Sequence, residues 1–201
     1  MRSRLGYGLL FLAISISGFA GSLCKLTVVF DHAPKASRDF SRLLQKAEAG
    51  NPNAQFQVGL AYEAGTSVEQ DHIEAARWYQ KAADRGNSAA QNNLGSMYGR
   101  GLGVPQSDSE AMKWLRRAAD QNNAVAQCNL GDCYHEGHGV ANDEVEAYAW
   151  HNLAATTSKE AAKHRDALVK TMSPKQVADG QKRTEELRAQ IEAKLKSGGT
   201  D

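Results

Sequence analysis

A single unit of sequence recurs almost three times between residues 53 and 155, always at a spacing of 36 positions and without insertion. An internal period of roughly 20–50 residues is typical of solenoids and other stacked arrays. Each unit then has to bury its apolar face against its neighbours. The landmarks include Gly59, Gly95 and Gly131, then Tyr62, Tyr98 and Tyr134, then Trp78, Trp114 and Trp150, and the alanine pairs that begin at Ala82, Ala118 and Ala154.

Capping residues divide each unit into two helices joined by a turn. Asn51 precedes Pro52, a proline at the first helical position, where its missing N–H costs nothing. Ser88 and Gln91 have the spacing of a capping box at the start of the next unit. Each unit is therefore predicted to be a helical hairpin. The second helices begin with three further pairs at this spacing, Asp71 and Glu74, Ser107 and Glu110, and Asp143 and Glu146.

The first helix of every unit contains an interior glycine, at Gly59, Gly95 and Gly131. Glycine inside a helix costs about 1 kcal/mol relative to alanine, so its recurrence needs a packing reason. We predict that the two helices of a hairpin approach closely at the glycine. The space above it is expected to be filled from the second helix by Trp78, Trp114 or Trp150.

Helices are also predicted on both sides of the repeated units. Ser37 is the expected N-cap of a lone second-type helix, while Ser158 and Ser173 begin two helices after the third unit. The last of these is charged except on one face, as a helix that caps a solenoid should be. We predict an all-α fold, a right-handed α-solenoid over residues 37–172, with a capping helix and tail over residues 173–201.

Residues 1–22 have the features of an export signal. Arg2 and Arg4 precede an apolar run, and small residues follow at the two positions that a signal peptidase reads. We therefore predict cleavage near Ala20 or Ser22.

The next stretch, residues 23–36, reads as a linker because it shows no helical period. Two alternatives to cleavage remain open. The N-terminal segment can stay as an uncleaved inner-membrane anchor, or Cys24 can be lipidated, although Leu23 stands where a small residue is needed. All three predict an exported protein of the periplasm or cell envelope, which meets the membrane only through this segment.

Charge and cysteine content restrict the remaining possibilities. Lys and Arg number 24 against 23 Asp and Glu, so the chain has no basic field for a phosphate backbone, and we predict no nucleic-acid partner. Cys128 and Cys133 lie five positions apart on one predicted helix. Their axial separation of about 7.5 Å exceeds what a disulfide spans, so no bridge is expected.

The landmarks of the second unit resemble the Sel-one-like repeat (SLR) family, a relative of the tetratricopeptide repeat. Asn122 and Asn123 replace the closing Gly-Asn of that pattern, Ser67 replaces a loop glycine, and residues 150–180 resemble the C-terminal module of bacterial members. The resemblance implies a scaffold or adaptor that binds other proteins. It rests on Ala90, Leu94, Gly95, Tyr98, Gly101, Gly103, Val104, Ala111, Trp114, Ala118 and Ala119.

The sequence contains no recognisable catalytic motif. His135 and His138 lie three apart without a third ligand, so we interpret them as loop residues, and we interpret His151 and His164 as packed or exposed helix residues. We predict no metal, cofactor, small-molecule substrate or enzymatic activity. Some cysteine-rich SLR proteins act on β-lactams and carry a cysteine pair in every repeat, which the first two units here lack. An envelope hydrolase of that type and a purely structural spacer remain as alternatives.

The predicted function is to bind a protein or peptide in the concave groove lined by the first helices. Its amide row, Gln57, Asn93 and Asn129, can give a donor and an acceptor to an extended peptide backbone. The same amides can instead bond the neighbouring repeat, and the sequence leaves both readings open. The residues expected to face the groove are Phe56, Asn92 and Cys128, the amide row, and Leu60, Ser96 and Asp132.

Overall fold

The computed structural model describes residues 35–198, which form nine α-helices and no β-strand. Among them, no helix is both long and apolar enough to cross a bilayer. The predicted export signal, and the predicted linker up to residue 34, lie outside the described residues. The helices are α1 (Lys35–Glu48), α2 (Pro52–Ala64), α3 (His72–Asp84), α4 (Ser88–Arg100), α5 (Asp108–Asp120), α6 (Ala124–Glu136), α7 (Glu144–Ala154), α8 (Lys159–Val169) and α9 (Pro174–Lys196).

Three helical hairpins, α2 with α3, α4 with α5 and α6 with α7, stack along the chain. The second helix of each hairpin also packs on the first helix of the next, and α1 packs on α2 in the same way. The predicted all-α solenoid is therefore confirmed. The alanine pairs of the first two hairpins, Ala82 with Ala83 and Ala118 with Ala119, are buried against the next hairpin, because only small side chains fit where two helices meet a third.

Asparagine caps the first helix of every hairpin. The side chains of Asn51, Asn87 and Asn123 accept hydrogen bonds from backbone N–H groups three residues ahead. The predicted capping box at Ser88 is wrong, since Ser88 is the first residue of α4 and its neighbour Asn87 is the cap. The Gln91 N–H that Ser88 was expected to bond donates instead to the backbone carbonyl of Asn87, at 3.0 Å.

The second helices begin as predicted, with Asp71, Ser107 and Asp143 as N-caps. The prediction for Ser37 is wrong, because α1 begins at Lys35 and Ser37 lies within the helix. Both corrections concern where a helix starts, which several neighbouring polar residues can decide.

The interior glycines do lie at close helix crossings, but tryptophan does not fill the space. A Cβ at Gly59, Gly95 or Gly131 would lie within 3 Å of Tyr79, Leu115 or His151 respectively. Each of these is the residue after the predicted tryptophan. Successive helix residues point about 100° apart, so the tryptophan faces the preceding repeat instead, as Trp78 does beside Ala47 of α1.

Buried glutamines join consecutive units. Each glutamine, one residue after a landmark alanine, donates its side-chain N–H to a backbone carbonyl in the last turn of the preceding second helix. Each of these carbonyls also accepts the backbone N–H of the residue three positions on, so the glutamine takes its second acceptor position and ties two units together. The pairs are Gln55 with Ala47 (3.0 Å), Gln91 with Ala83 (3.0 Å) and Gln127 with Ala119 (3.4 Å).

The last two helices differ from the repeats. α8 packs on α7, whereas α9 runs back along α7 and reaches α5. Leu187 and Ile191 of α9 enter the core that holds Leu115 and Trp150. At the far end of α9, the Lys194 ammonium lies 2.6 Å from a carboxylate oxygen of Asp120. α9 therefore holds the second and third hairpins together from one side.

Candidate functional site

The nine residues predicted to face the groove fall into two groups. Five of them line two depressions on the face formed by α2, α4 and α6, which we term the first-helix face. The other four, Phe56, Asn92, Asn93 and Cys128, make contacts within the solenoid, one of them with Asn129 of the first group. The five that line the depressions are Gln57, Leu60, Ser96, Asn129 and Asp132.

The first depression, between α1 and α2, has a volume of about 840 Å³ and is termed the N-terminal depression. Its walls combine apolar and charged side chains. Leu60 is 38% exposed, and the cations Arg42 and Lys46 form no ion pair with any residue that the structure describes. Gln57 is exposed here and has no hydrogen-bond partner among residues 35–198. The remaining side chains of interest are Asp39, Phe40 and Leu43.

The second depression, about 290 Å³, lies between α4, α5 and α6 and is termed the central depression. Ser96, Asn129 and Asp132 line it together with Arg100 and Cys133. Cys133 and Cys128 are free thiols, as their spacing predicts. The central depression therefore offers hydroxyl, amide and carboxylate groups on one side of the array.

A chain of side-chain hydrogen bonds crosses three repeats beneath this face. The Asn129 amide donates to Asn92 Oδ1 at 2.9 Å, and the Asn92 amide donates to Asn93 Oδ1 at 3.2 Å. Asn93 in turn hydrogen-bonds the Tyr79 hydroxyl, which donates to the Glu63 carboxylate. Burial and the nearby carboxylate raise the pKa of Tyr79, so it stays a donor. Of the predicted amide row, Asn93 and Asn129 therefore join neighbouring repeats, through Tyr79 and Asn92, whereas Gln57 remains exposed.

A compact polar cluster lies at the junction of α6, α7 and α8. It consists of Cys128, Asp132, His151 and His164, and we term it the Cys–His cluster. The Cys128 Sγ lies 3.8 Å from His151 Nδ1 and 4.0 Å from His164 Nδ1. Asp132 Oδ1 lies 2.9 Å from His164 Nδ1 and 3.5 Å from His151 Nε2. The two imidazole rings meet edge to face, with centroids 5.1 Å apart.

The repeat shows what normally occupies these positions. The pair Cys128 and His151 corresponds, at successive shifts of 36, to Asn92 with Leu115 and to Phe56 with Tyr79. In the first repeat, that pair is an aromatic contact with ring centroids 5.7 Å apart. On the second helix, the third repeat thus has an imidazole where the other two have Tyr79 and Leu115, and on the first helix it has a thiol where they have Phe56 and Asn92. Its departure from the repeat pattern is the sequence signal that finds the cluster.

Burial sets the protonation of the cluster. It raises the pKa of Cys128 to about 11, with Asp132 and Glu160 adding to the shift. Burial also lowers the pKa of His151 to about 4, helped by the neighbouring imidazoles, and raises that of Asp132. Cys128 is therefore a neutral thiol beside a neutral imidazole. A nucleophilic cysteine needs a thiolate, so this arrangement does not support the hydrolase alternative.

The chain is similar to a protective antigen of uropathogenic Escherichia coli strains, whose crystal structure displays an SLR fold. The match covers 81% of this chain and 36% of the antigen, with 30% sequence identity and a TM-score of 0.70. A Sel1 repeat protein from Oxalobacter formigenes matches over 63% of this chain and 52% of that one, with 32% identity and a TM-score of 0.59. The chain thus spans about a third to a half of these relatives. No curated protein matches.

The family model of the Sel1 repeat matches three consecutive segments, residues 52–87, 88–123 and 124–156. These segments are the three hairpins, each with the turn that follows it. Together they make up just over half of the chain. The chain belongs to the Sel1 repeat family.

Proposed function

We propose that this chain is an exported scaffold that binds an extended segment of a partner protein in the concave surface formed by α2, α4 and α6. Sel1 repeats generally mediate protein–protein interactions, and a scaffold role follows from membership of the family. The observation that most supports the finer proposal is the composition of the first-helix face. Five residues selected from repeat spacing alone line its two depressions.

The N-terminal depression determines the chemistry of the partner segment. Arg42 and Lys46 favour an acidic side chain, because neither cation is neutralised by another described residue. Leu60, half in water, together with the half-buried Phe40, favours an apolar side chain beside it. The exposed Gln57 amide supplies a donor and an acceptor for the peptide backbone. The best-fitting partner segment is therefore extended and carries alternating acidic and apolar residues.

A displayed library of short random peptides, selected on the purified chain, tests this proposal. Selected sequences should be enriched in acidic and apolar residues, and a labelled synthetic peptide should bind saturably in fluorescence anisotropy. Lys46→Glu should weaken that binding about tenfold or more, about 1.4 kcal/mol, and added salt should weaken it too. Lys182→Glu is the matched control, since Lys182 is exposed on α9 and far along the chain from the depression.

Two outcomes would count against the proposal. Equal loss of affinity in Lys46→Glu and Lys182→Glu would point to a general charge effect rather than a site. Selection that yields no saturable peptide would favour the structural spacer. In either result, thermal unfolding of each variant shows whether the fold itself was retained.

Export is the second part of the proposal and rests on the sequence of residues 1–36. Fusing these residues to a reporter that is active only outside the cytoplasm should give activity. Replacing Arg2 and Arg4 by glutamate should abolish it, because the positive n-region is required for targeting. The mature protein, identified by mass spectrometry, should begin at Gly21 or Leu23. A protein with an intact Met1 in the cytosolic fraction would contradict export.

A further inference from the structure

We propose that Cys128, His151 and His164, with the carboxylate of Asp132 beside them, form a Zn²⁺-binding site at the junction of α6, α7 and α8. The three ligand atoms, one from each of the first three residues, all lie within 4.8 Å of one another. The residues come from three helices and are brought together only by folding. Of the residues at this site, only Asp132 also lines a depression of the first-helix face.

The distances in the cluster suit tetrahedral zinc. Zn–S bonds of about 2.3 Å and Zn–N bonds of about 2.0–2.1 Å place neighbouring ligand atoms about 3.3–3.6 Å apart. The Cys128 Sγ lies 3.8 and 4.0 Å from the two Nδ1 atoms, so it needs to move by a few tenths of an ångström. Asp132 Oδ1 lies beside this group, 2.9 Å from His164 Nδ1, but is not one of the three mutually close ligand atoms.

Each histidine also has a second partner that would orient it. Ligating histidines usually donate the N–H of their other ring nitrogen to a carboxylate or a carbonyl. With Nδ1 toward the metal, His151 presents Nε2 to Asp132 at 3.5 Å. His164 presents Nε2 to Glu160, one turn earlier on α8, at 3.6 Å. Both rings are therefore held in one orientation by carboxylates outside the ligand set.

Two of the four side chains are buried and two are partly exposed, so the metal ion would be shielded from water on one side and could enter from the other. Cys128 and His151 are 9% and 1% exposed, while the side chains of His164 and Asp132 are each 38% exposed. On binding, Zn²⁺ forms a bond to Cys128 Sγ, and the thiol proton leaves to solvent. The soft thiolate and the imidazoles favour zinc over magnesium or calcium.

The contacts within the cluster are weak without a metal. Thiol–imidazole contacts of 3.8 and 4.0 Å are long, and they leave a nearly buried imidazole without a strong partner at Nδ1. Burying polar groups in this way costs free energy that the Phe56–Tyr79 pair of the first repeat does not incur. A metal ion would offset that cost and would fix α8 to the last repeat.

The experiment uses the full chain without an affinity tag, reduced and treated with chelator. Co²⁺ should bind in a ratio of about one per chain, with thiolate-to-cobalt charge-transfer absorption and d–d bands of tetrahedral intensity. Added Zn²⁺ should abolish both absorptions. Zn²⁺ should also raise the melting temperature, since it binds only the folded site.

The repeat supplies a control that should fold. The double variant Cys128→Asn, His151→Leu rebuilds the Asn92–Leu115 pair, which the second repeat accommodates at corresponding positions. It should give no charge-transfer band, with its melting temperature unaffected by Zn²⁺. Asp132→Asn should bind Co²⁺ at least tenfold more weakly, because it removes the carboxylate that orients His151.

A second control tests for adventitious binding by surface histidines. His135→Gln, His138→Gln removes the exposed pair in the loop after α6 and should leave the cobalt spectrum and affinity unchanged. Loss of binding in that variant would overturn the proposal. So would a wild-type chain that shows no thiolate charge-transfer band, or a rebuilt Asn–Leu variant that still binds Co²⁺ as tightly.

Discussion

The glycine at the crossing of α4 and α5 provides a quantitative test of the packing. A Cβ added at Gly95 would lie 2.9 Å from Leu115 Cγ and 3.1 Å from the Ala111 carbonyl oxygen. Neither atom is the free end of a flexible chain, so overpacking should cost about 1–3 kcal/mol. Alanine at Gly99, four residues along the same helix, would meet only Ala111 Cβ, at 3.7 Å. Both substitutions gain up to about 1 kcal/mol of helix propensity.

Gly95→Ala should therefore be less stable than Gly99→Ala by about 1–3 kcal/mol, and Gly99→Ala should equal or exceed the wild type. For a chain of this size, a difference of about 2 kcal/mol corresponds to about 4–8 °C in melting temperature. Urea and thermal unfolding followed by far-ultraviolet circular dichroism measure both quantities. If Gly95→Ala were as stable as Gly99→Ala, the close approach of α4 and α5 would not be the reason for the repeated glycine.

Two further predictions use matched pairs in thermal unfolding without any partner. Asn92→Ala should lower the free energy of unfolding by about 1–3 kcal/mol, because it breaks the hydrogen bonds of Asn92 to Asn93 and Asn129. Gln57→Ala, at an exposed side chain, should change it by less than about 0.5 kcal/mol. Equal effects would show that Asn92 does not join the repeats. Leu187→Ala should cost about 2–5 kcal/mol, since the side chain is 1% exposed in the core, and Leu195→Ala, 50% exposed on the same helix, should be nearly neutral. A neutral Leu187→Ala would show that α9 does not stabilise the array.

The repeat, the hairpins and most caps could be read from the sequence because their signals are local. The period fixes which residues correspond, and a cap such as Asp71 depends only on residues within one turn. The prediction that a tryptophan covers the interior glycine was wrong, because that contact depends on the packing of two helices and not on a local signal. The 36-residue spacing shows which residues correspond, but not which way each side chain points. Tyr79 points about 100° away from Trp78 around the helix axis, and it is Tyr79 that lies over Gly59.

The Cys–His cluster was less accessible to sequence reasoning. Cys128 and Asp132 share a helix face at i, i+4, but motif spacing drew attention to His135 and His138 instead. His164 lies beyond the third unit, where the landmarks have disappeared, so no period predicts what it meets. Only the stacking of α8 on α7 brings it to the thiol. The sequence feature that points to the cluster is His151, a histidine at a position where the other repeats have Tyr79 and Leu115.

The path of α9 has a consequence for how the molecule opens. In an array where each unit contacts only its neighbours, unfolding can begin at any unit. Because α9 packs on α7 and also contacts α5 through the core around Leu115 and the Lys194–Asp120 pair, opening of the third hairpin should also release contacts of the second. At the other end, α1 packs chiefly on α2. Backbone amides of α5, α7 and α9 should therefore exchange with deuterium as one slow group, and those of α1 earlier. The N-terminal depression then belongs to the end that can adapt its shape to what it binds.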